Sequence, residues 1–184
     1  MRLSIPDRDA LDPAGQKIWD AISGPRKGLH GPYQMLMHVP PLAESVAQLG
    51  AYLRFHGLLP GHVRELAVLA AARTMNVPFE FLMHRPVAEK EGLSKETIEN
   101  VRLNRFDLLS GTEKLIADIA TSICRDRRLS EDLFHAGVAE FGDKQMVELL
   151  TLISFYTTIA AIINCFEVDL PEGALNPFAG TGEK

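Results

Sequence analysis

The densest group of residues able to do chemistry lies in two neighbouring helical stretches. Glu80 and His84 are four positions apart, so they share one helix face and can hydrogen-bond. Glu65 lies in the preceding stretch, which the break at Asn76-Val77-Pro78 folds back toward them. Two carboxylates can then flank one imidazole, an arrangement suited to proton transfer near neutral pH. The spacing therefore predicts a general acid/base site formed by Glu65, Glu80 and His84.

Other interpretations of these residues stay open. A Glu-His pair at helical spacing is often a surface pair worth about 0.2 to 0.5 kcal/mol with no chemical role. A metal site in a helical bundle needs Glu-x-x-His pairs on two helices, whereas this sequence has a single Glu-x-x-x-His. We therefore expect no metal and, since no nucleotide or flavin motif occurs, no cofactor. His38 and His56 could reach the pocket from the preceding loop and helix, or could be ordinary core or surface groups.

Residues that start and end helices recur along the segments that must position this site. Apolar residues recur at helical spacing between Pro, Gly and capping residues, with Ser94 and Ser130 as two of the caps. No stretch alternates with the two-residue period of a strand, so the predicted fold class is all-α. The predicted helices are a short one around Ile18 that ends at Gly24-Pro25, then 41–57, a run from Val63, 79–91 with Pro86 inside it, a stretch from Ser94, 112–125, 130–141 and 143–166. The intervening 24–41 is expected to be an ordered loop with about one helical turn.

The length of 184 residues predicts a single domain covering 1–184. Within this domain, residues 1–40 are expected to form an N-terminal extension. Residues 170–184 are rich in Pro and Gly and are expected to form an irregular tail. Leu175 and Phe178 could anchor this tail on the body of the domain or on a neighbouring subunit.

Composition and charge exclude several classes of protein. Hydrophobic residues make up 46% and charged residues 23%, as in ordinary globular proteins, so disorder is excluded. The net charge of -5 provides no cationic field for nucleic acid or for an acidic membrane surface. The charged N-terminal stretch lacks the apolar region of a signal peptide, so a cytoplasmic location is expected. Cys124 and Cys165 form no Cys-x-x-Cys and are expected to be buried free thiols.

One stretch tests whether the chain crosses a membrane. Leu149 to Phe166 carries no charge over 18 positions, the length at which a spanning helix becomes possible. It contains five polar residues and is bracketed by Glu148 and Glu167. These features favour a central helix, buried in a protein core or in a subunit interface, over one that faces lipid.

The run RELAVLAAARTMNVPFEFLMHRPVAEKEGLS, residues 64–94, suggests a family. It resembles the carboxymuconolactone decarboxylase and alkylhydroperoxidase AhpD-like superfamily. In that superfamily an Arg-Glu-Leu opens a helix, a Glu-aromatic-x-x-His follows, and an Ala…Gly-Leu-Ser turn closes the unit. The same elements occur here at Arg64 to Leu66, at Glu80 to His84 and at Ala88 to Ser94. The core of the resemblance covers 62–100, with weaker likeness at 37–40 and 52–54.

The resemblance also indicates which branch of the superfamily is closer. The AhpD branch has a Cys-x-x-Cys between its glutamate and its histidine. In this sequence Val77 and Glu80 stand at those two cysteine positions. Neither side chain can form a thiolate or a disulfide, so the dithiol chemistry is not expected. The cysteine-free decarboxylase branch is therefore the nearer relative.

The superfamily resemblance implies a fold and an assembly. The expected fold is an AhpD-like bundle of about six to eight helices. Its two halves, 41–91 and 112–166, each contain three predicted helices and could reflect an internal duplication of a three-helix unit. A homo-oligomer is also implied, a trimer or a hexamer built from trimers, with active sites at subunit boundaries. The apolar helix from Leu149 to Phe166 and the loop from Tyr33 to Met37 could supply its buried surfaces.

The resemblance further implies a cofactor-free lyase. The reference reaction removes CO2 from a γ-lactone that carries a carboxylate, in the breakdown of aromatic compounds. His84 would return the proton to carbon, with Glu65 and Glu80 setting its protonation state. The substrate-binding candidates are three arginines able to hold a carboxylate and two residues of the 30–40 loop: Arg64, Arg85, Arg54, His38 and Tyr33.

Three alternatives to the decarboxylase stay open. The same acid/base pair would serve an isomerase or another enzyme acting on a small carboxylated lactone or enol. An AhpD-like peroxidase would need Cys124 or Cys165 in place of the missing motif cysteines. A non-catalytic oligomeric helical protein would have kept the fold alone, and His84→Ala would then change only its stability.

Overall fold

The structure is a computed structural model that describes residues 1–26 and 28–181. In these ranges it contains eight α-helices, two short 3₁₀ helices at Arg8–Ala10 and Phe106–Leu108, and no strand. The all-α prediction is confirmed. The helices are α1 (Pro13–Arg26), α2 (Pro32–Leu36), α3 (Pro40–Phe55), α4 (Gly61–Thr74), α5 (Pro78–Lys90), α6 (Lys95–Arg102), α7 (Gly111–Asp126) and α8 (Glu131–Phe166).

Most helices begin where the sequence predicts. Prolines open α2, α3 and α5, where the missing N–H would have had no helical partner. Ser94 accepts the backbone N–H of Thr97 at 2.9 Å, and Ser130 accepts that of Leu133 at 3.2 Å, so both predicted caps are confirmed. One boundary differs, because α1 continues past the predicted stop at Gly24-Pro25 to Arg26.

Helix α8 consists of two helical segments that meet at Gly142. This residue has φ 69° and ψ 168°, a backbone conformation open to glycine and strained for other residues. The break separates the two predicted helices, 130–141 and 143–166. By length and composition α8 could cross a membrane, and half of its most apolar 18-residue window is buried inside the fold. The buried half contains core residues such as Leu149, Leu152 and Ile153.

Helix α4 is the most enclosed element, and the 149–166 segment of α8, predicted as a central helix, packs against it. An unbroken buried run extends from Glu65 to Arg73, with α5, α6, α7 and α8 packed around it. Four alanines within this run allow those neighbours to approach closely from several sides. A helix buried all round has no single apolar face, so its position could not be recognised from its periodicity.

The N-terminal extension is built into the fold. Helices α1 and α2 pack against α3, and α2 also contacts α8. Their shared core contains Ile22, Leu36, Met37 and Ala43. This packing holds α2 beside the helices that form the candidate site.

Residues 170–181 of the C-terminal tail are irregular, as predicted for 170–184, and only one of the two predicted anchors is buried. The Phe178 ring packs edge-on against Phe81, with 5.1 Å between ring centroids, and lies 5.0 Å from the Arg73 guanidinium carbon. Leu175 remains 86% exposed and anchors nothing within the chain. The tail therefore lies on the body of its own chain through a buried aromatic ring and a buried arginine.

A buried carboxylate fixes the turn between α3 and α4. Glu148 of α8 accepts the backbone N–H of Leu58 at 2.7 and 2.8 Å and that of Leu59 at 3.0 Å. A side chain at Gly57 would meet the same carboxylate, since a Cβ there would lie 2.3 Å from its Oε1 atom. This contact sets the approach of the chain into α4 and so helps to position Glu65.

Candidate functional site

The centre of the site is a buried ion pair between two helices. Glu65 of α4 and His84 of α5 are joined by a 2.7 Å contact between Oε2 and Nδ1. Both are almost fully buried, with 1% and 5% of their surfaces exposed. Arg64 donates from Nε to the other oxygen of Glu65 at 3.0 Å. The predicted pairing of Glu65 with His84 is therefore present, and the carboxylate has a cation on each side.

The second ring nitrogen of His84 faces two further polar groups. Its Nε2 atom lies 3.0 Å from the hydroxyl of Tyr156 on α8 and 3.5 Å from Oε2 of Glu80. The Tyr156 ring stands perpendicular to the imidazole, with 5.1 Å between ring centroids. Arg64, Glu65, His84 and Glu80 thus form a chain of alternating charge when the imidazole is protonated, and Tyr156 joins it at the imidazole.

The surroundings shift the protonation of three of these groups. Burial opposes ionisation of Glu65, but its hydrogen bonds to His84 and Arg64 outweigh burial and lower the pKa of the carboxyl group. Burial likewise opposes a charge on His84, yet the bonds to Glu65 and Glu80 raise the pKa of the imidazole. Burial, followed by the charge of Glu80, raises the pKa of Tyr156 well above its ordinary value. These shifts favour a Glu65 carboxylate paired with an imidazolium, beside a neutral phenol.

The row of charged side chains that ends at His84 and Glu80 opens onto a cavity of about 260 Å³. Glu80, His84 and Tyr156 supply polar groups to its wall. The rest of the wall is largely apolar and aromatic, with rings contributed by α2, α3, α5 and α8: Tyr33, Phe55, Phe79, Phe155 and Tyr156. A small, planar, largely apolar ligand fits such a cavity better than a large or highly charged one.

Two of the five predicted substrate-binding residues line the cavity. Arg54 of α3 reaches the wall and lies over the Phe55 ring, 5.1 Å from its centroid. Tyr33 of α2 lies on the same wall. A Cβ on neighbouring Gly50 would lie 3.6 Å from the Tyr33 hydroxyl and 3.1 Å from the Phe155 ring, so glycine gives α3 its close approach here.

The other three predicted substrate-binding residues lie elsewhere. The guanidinium of Arg64 is directed to Glu65 and, at 3.8 Å, to Glu91, so it does not line the cavity. Arg85 is exposed and donates to Glu89 one helical turn along, at 3.2 Å. His38 is exposed and its Nε2 lies 3.0 Å from the backbone oxygen of Ser4. Helical geometry explains why Arg85 does not reach the cavity, because the position after His84 is rotated about 100° around the helix.

Sequence reasoning missed Tyr156 and His30, which both line the cavity. Tyr156 lies 72 positions from His84, so no spacing rule connects them. One signal was available, because Tyr156 is the single tyrosine in the uncharged stretch 149–166. A buried tyrosine normally has a hydrogen-bond partner for its hydroxyl.

The cysteines lie outside the cavity. Cys124 of α7 is buried, as expected, and burial raises the pKa of its thiol. Its sulfur lies 3.8 Å from the Thr157 hydroxyl. Cys165 is exposed near the end of α8, contrary to the expectation that it is buried. At the two motif positions, Val77 is buried in an apolar cluster and Glu80 faces the cavity.

Metal-binding geometry is not present in the described part of the chain. Over residues 1–26 and 28–181, no group of three or more His, Cys, Asp or Glu side chains is arranged to hold a metal ion. Glu65 and Glu80 instead each contact a ring nitrogen of His84. Their arrangement suits the storage and transfer of a proton.

Known proteins share this fold and part of this sequence. Residues 40–113 match the model of the carboxymuconolactone decarboxylase family. The crystal structure of an alkylhydroperoxidase AhpD core, an uncharacterized peroxidase-related protein from Ralstonia eutropha JMP134, aligns with a TM-score of 0.76. That alignment covers 98% of this chain and 95% of that chain, with 15% sequence identity. No curated protein matches the sequence significantly.

The family match supports the superfamily resemblance over residues 40–113, and the structural alignment confirms the AhpD-like fold. The family match begins at the first residue of α3 and ends in the first turn of α7. It therefore contains Arg54, Glu65, Glu80 and His84. Tyr156 lies outside the matched residues, on a helix that the fold brings to the same cavity.

Proposed function

We propose that this protein is a thiol-independent acid/base enzyme, a carboxymuconolactone decarboxylase-like lyase or isomerase acting on a small carboxylated lactone or enol. One observation carries the proposal. A continuous chain of contacts runs from buried Glu65 through His84 to Glu80 and ends at a half-open, mostly apolar cavity. A buried imidazolium with a raised pKa, held between two carboxylates, is a proton store next to a substrate-sized space.

The residues of the site account for the proton transfers that a decarboxylation or an isomerisation needs. In a decarboxylation the bond from carbon to the carboxylate breaks, CO2 leaves, and the electron pair remains as a dienolate. The His84 imidazolium gives its Nε2 proton to Glu80, Glu80 delivers a proton to that carbon, and solvent then reprotonates the imidazole. In an isomerisation the Glu80 carboxylate removes a proton from one carbon and delivers it to another. Positioned acid/base groups of this kind contribute about 10² to 10⁴ in rate.

The cavity supports the proposed class of substrate. Its volume of about 260 Å³ accommodates a small ring compound, and its aromatic walls favour a planar, unsaturated one. Arg54 is the arginine on its wall and can bind one carboxylate. A small unsaturated ring compound that carries a carboxylate matches these features.

The first experiment follows decarboxylation of γ-carboxymuconolactone by ultraviolet absorbance. The wild type is expected to turn over and His84→Ala to lose activity by at least about 10²-fold. His84→Asn is the second variant, because it keeps a polar side chain in the buried site. His135→Ala is the matched control, since His135 is an exposed histidine on α8, outside the cavity.

Each outcome of this experiment has a clear meaning. Turnover that disappears in folded His84 variants and persists in the control supports the lyase. A wild type that is inactive on this lactone and on a panel of related lactones and enols contradicts the proposal. Peroxide reduction that is abolished by Cys165→Ser would favour the AhpD-like alternative. His84 variants that alter only stability would favour a non-catalytic helical protein.

A homo-oligomer and a cytoplasmic location are further parts of the proposal. The exposed side of α8 carries an uncharged row at helical spacing, formed by Val147, Thr151, Ser154 and Thr158. Leu49 of α3 lies beside this row and lines the same two surface grooves. Such a surface fits a second copy of the chain better than water. The free thiols Cys124 and Cys165 suit a reducing compartment.

The assembly is tested by the solution mass of the wild type and of Leu49→Glu. A trimer or hexamer is expected for the wild type. A charge at Leu49 should shift the protein toward smaller species, because it would be buried without a partner. Leu108→Glu is the control, since Leu108 is an exposed leucine of the 3₁₀ helix at Phe106–Leu108 and lines neither groove. A monomeric wild type would contradict the proposed assembly.

A further inference from the structure

The Tyr156 hydroxyl lies where the buried polar chain meets the cavity. It is 3.0 Å from Nε2 of His84, and its residue lines the cavity together with Glu80. Only 6% of Tyr156 is exposed, so its position is held by the protein rather than by solvent. Its ring is fixed between two others, edge-on to His84 and edge-on to Phe155 at 5.4 Å between centroids.

The partners of His84 limit what the imidazole can offer to a ligand. Nδ1 is held by Glu65 at 2.7 Å, and Nε2 already has the Tyr156 hydroxyl and Glu80 within 3.5 Å. A protonated imidazole donates through both nitrogens, and the Tyr156 oxygen can accept the second of these bonds. The phenolic hydrogen of Tyr156 is then available to an acceptor in the cavity.

A hydroxyl that accepts from an imidazolium becomes a stronger donor. The chain runs from the Glu65 carboxylate through the imidazolium to the Tyr156 oxygen, and each bond polarises the next. Burial and the charge of Glu80 raise the pKa of Tyr156, so the phenol keeps its proton. A neutral, fixed donor in a largely apolar cavity is well suited to stabilise negative charge that develops on a ligand oxygen.

We propose that Tyr156 is a catalytic residue that donates a hydrogen bond to the substrate oxygen that becomes negatively charged, the carbonyl oxygen of a lactone or the oxygen of an enol. This inference rests on the proposed function and divides the work of the site. As the bond to the leaving CO2 or proton breaks, its electron pair moves toward that oxygen and the Tyr156 hydrogen bond shortens. The His84 imidazolium supplies the proton and Glu80 delivers it to carbon, while Tyr156 keeps its own proton throughout.

The first test uses Tyr156→Phe, which keeps the ring and removes only the hydroxyl. With a substrate that the wild type turns over, kcat is expected to fall by about 10² to 10³, the loss typical of one oxyanion donor, with KM changed by less than about threefold. Tyr52→Phe is the matched control, because Tyr52 is a half-exposed tyrosine of α3 outside the cavity. Near-ultraviolet circular dichroism checks that both variants are folded. A folded Tyr156→Phe enzyme with wild-type kcat overturns the inference and leaves the proposed function intact.

A second test does not depend on knowing the substrate. The probe is 4-nitrophenolate, a planar oxyanion followed by its visible absorbance, and nitrobenzene is the neutral probe of similar shape. Tyr156→Phe is expected to weaken nitrophenolate binding by about 10- to 100-fold, as for loss of a hydrogen bond to a charged group, and to change nitrobenzene binding by less than about threefold. Equal losses for both probes, or no loss for either, overturn the inference. If no substrate is found, the proposed function fails while this measurement still decides the role of Tyr156.

Discussion

The site has two regions that are built differently, the buried chain and the cavity wall. The buried chain, formed by Arg64, Glu65 and His84, comes from two helices adjacent in sequence, and its charged groups are partnered. The cavity wall combines residues of α2, α3, α5 and α8, and includes Arg54 and Tyr156. We infer that the buried chain sets the protonation and the rigidity of the site. Under the proposed function, the wall determines which ligand is bound and where its charge is stabilised.

The largest effect is expected when the contacts of the buried chain of charged groups are broken. Glu65→Gln keeps the side-chain volume but leaves Arg64 and His84 without their shared carboxylate, so the free energy of unfolding should fall by about 3 kcal/mol or more. Urea unfolding of the purified variant measures this loss. Glu89→Gln is the control, since Glu89 pairs with exposed Arg85, and its loss should stay below about 1 kcal/mol. Equal losses in the two variants would show that the buried chain adds no stability.

A smaller effect is expected on the cavity wall and should appear in binding rather than in stability. Arg54→Gln removes the cation proposed to bind the substrate carboxylate, so KM for a carboxylated substrate should rise about tenfold, equivalent to about 1.4 kcal/mol. The free energy of unfolding should change by less than about 0.5 kcal/mol. Steady-state kinetics and urea unfolding of the same preparation test both statements. A large loss of stability with unchanged KM would place Arg54 in the structural part of the site.

The stability that the Glu65–His84 pair contributes is expected to depend on pH. The pKa of His84 is raised above 6.5, so its contribution is fully present below that value and is lost as pH rises through the raised pKa. The pKa of Glu65 is lowered below 4.5, so its contribution is present above that value and is lost as pH falls through the lowered pKa.

The difference in stability between the wild type and Glu65→Gln should therefore be largest between about pH 4.5 and 6.5 and should shrink on either side. Each unit of pKa shift corresponds to about 1.4 kcal/mol. Urea unfolding at a series of pH values measures the profile. A difference that does not vary with pH would mean that the pair does not titrate as a coupled unit.

The smallest effect is expected at Arg85, next to His84 in sequence but outside the cavity. Arg85→Gln breaks only its exposed pair with Glu89, so unfolding free energy should change by less than about 0.5 kcal/mol. KM for a carboxylated substrate should stay within about twofold of the wild type. An increase comparable to that of Arg54→Gln, measured in the same assay, would give Arg85 a role in binding.

Helices α4 and α8 show how far the fold could be predicted from the sequence. The start of each main helix was readable, because prolines and serines at helix ends act locally. The enclosure of α4 was not readable, because its run contains Arg64, Glu65 and Arg73. The structure surrounds α4 with four helices, and its charges are satisfied by partners from α5, α6 and the tail.

The sequence by itself determined the helices, their caps and the pairing of Glu65 with His84. These features depend on helical periodicity and on a short connection between neighbouring helices, which are local properties of the chain. Only the tertiary structure decided that Tyr156 meets His84 across 72 positions, that Arg54 rather than Arg64 or Arg85 reaches the cavity, and that α4 is enclosed. The physical reason is that packing decides which surfaces of separate helices meet, and spacing along a single helix carries no record of that choice.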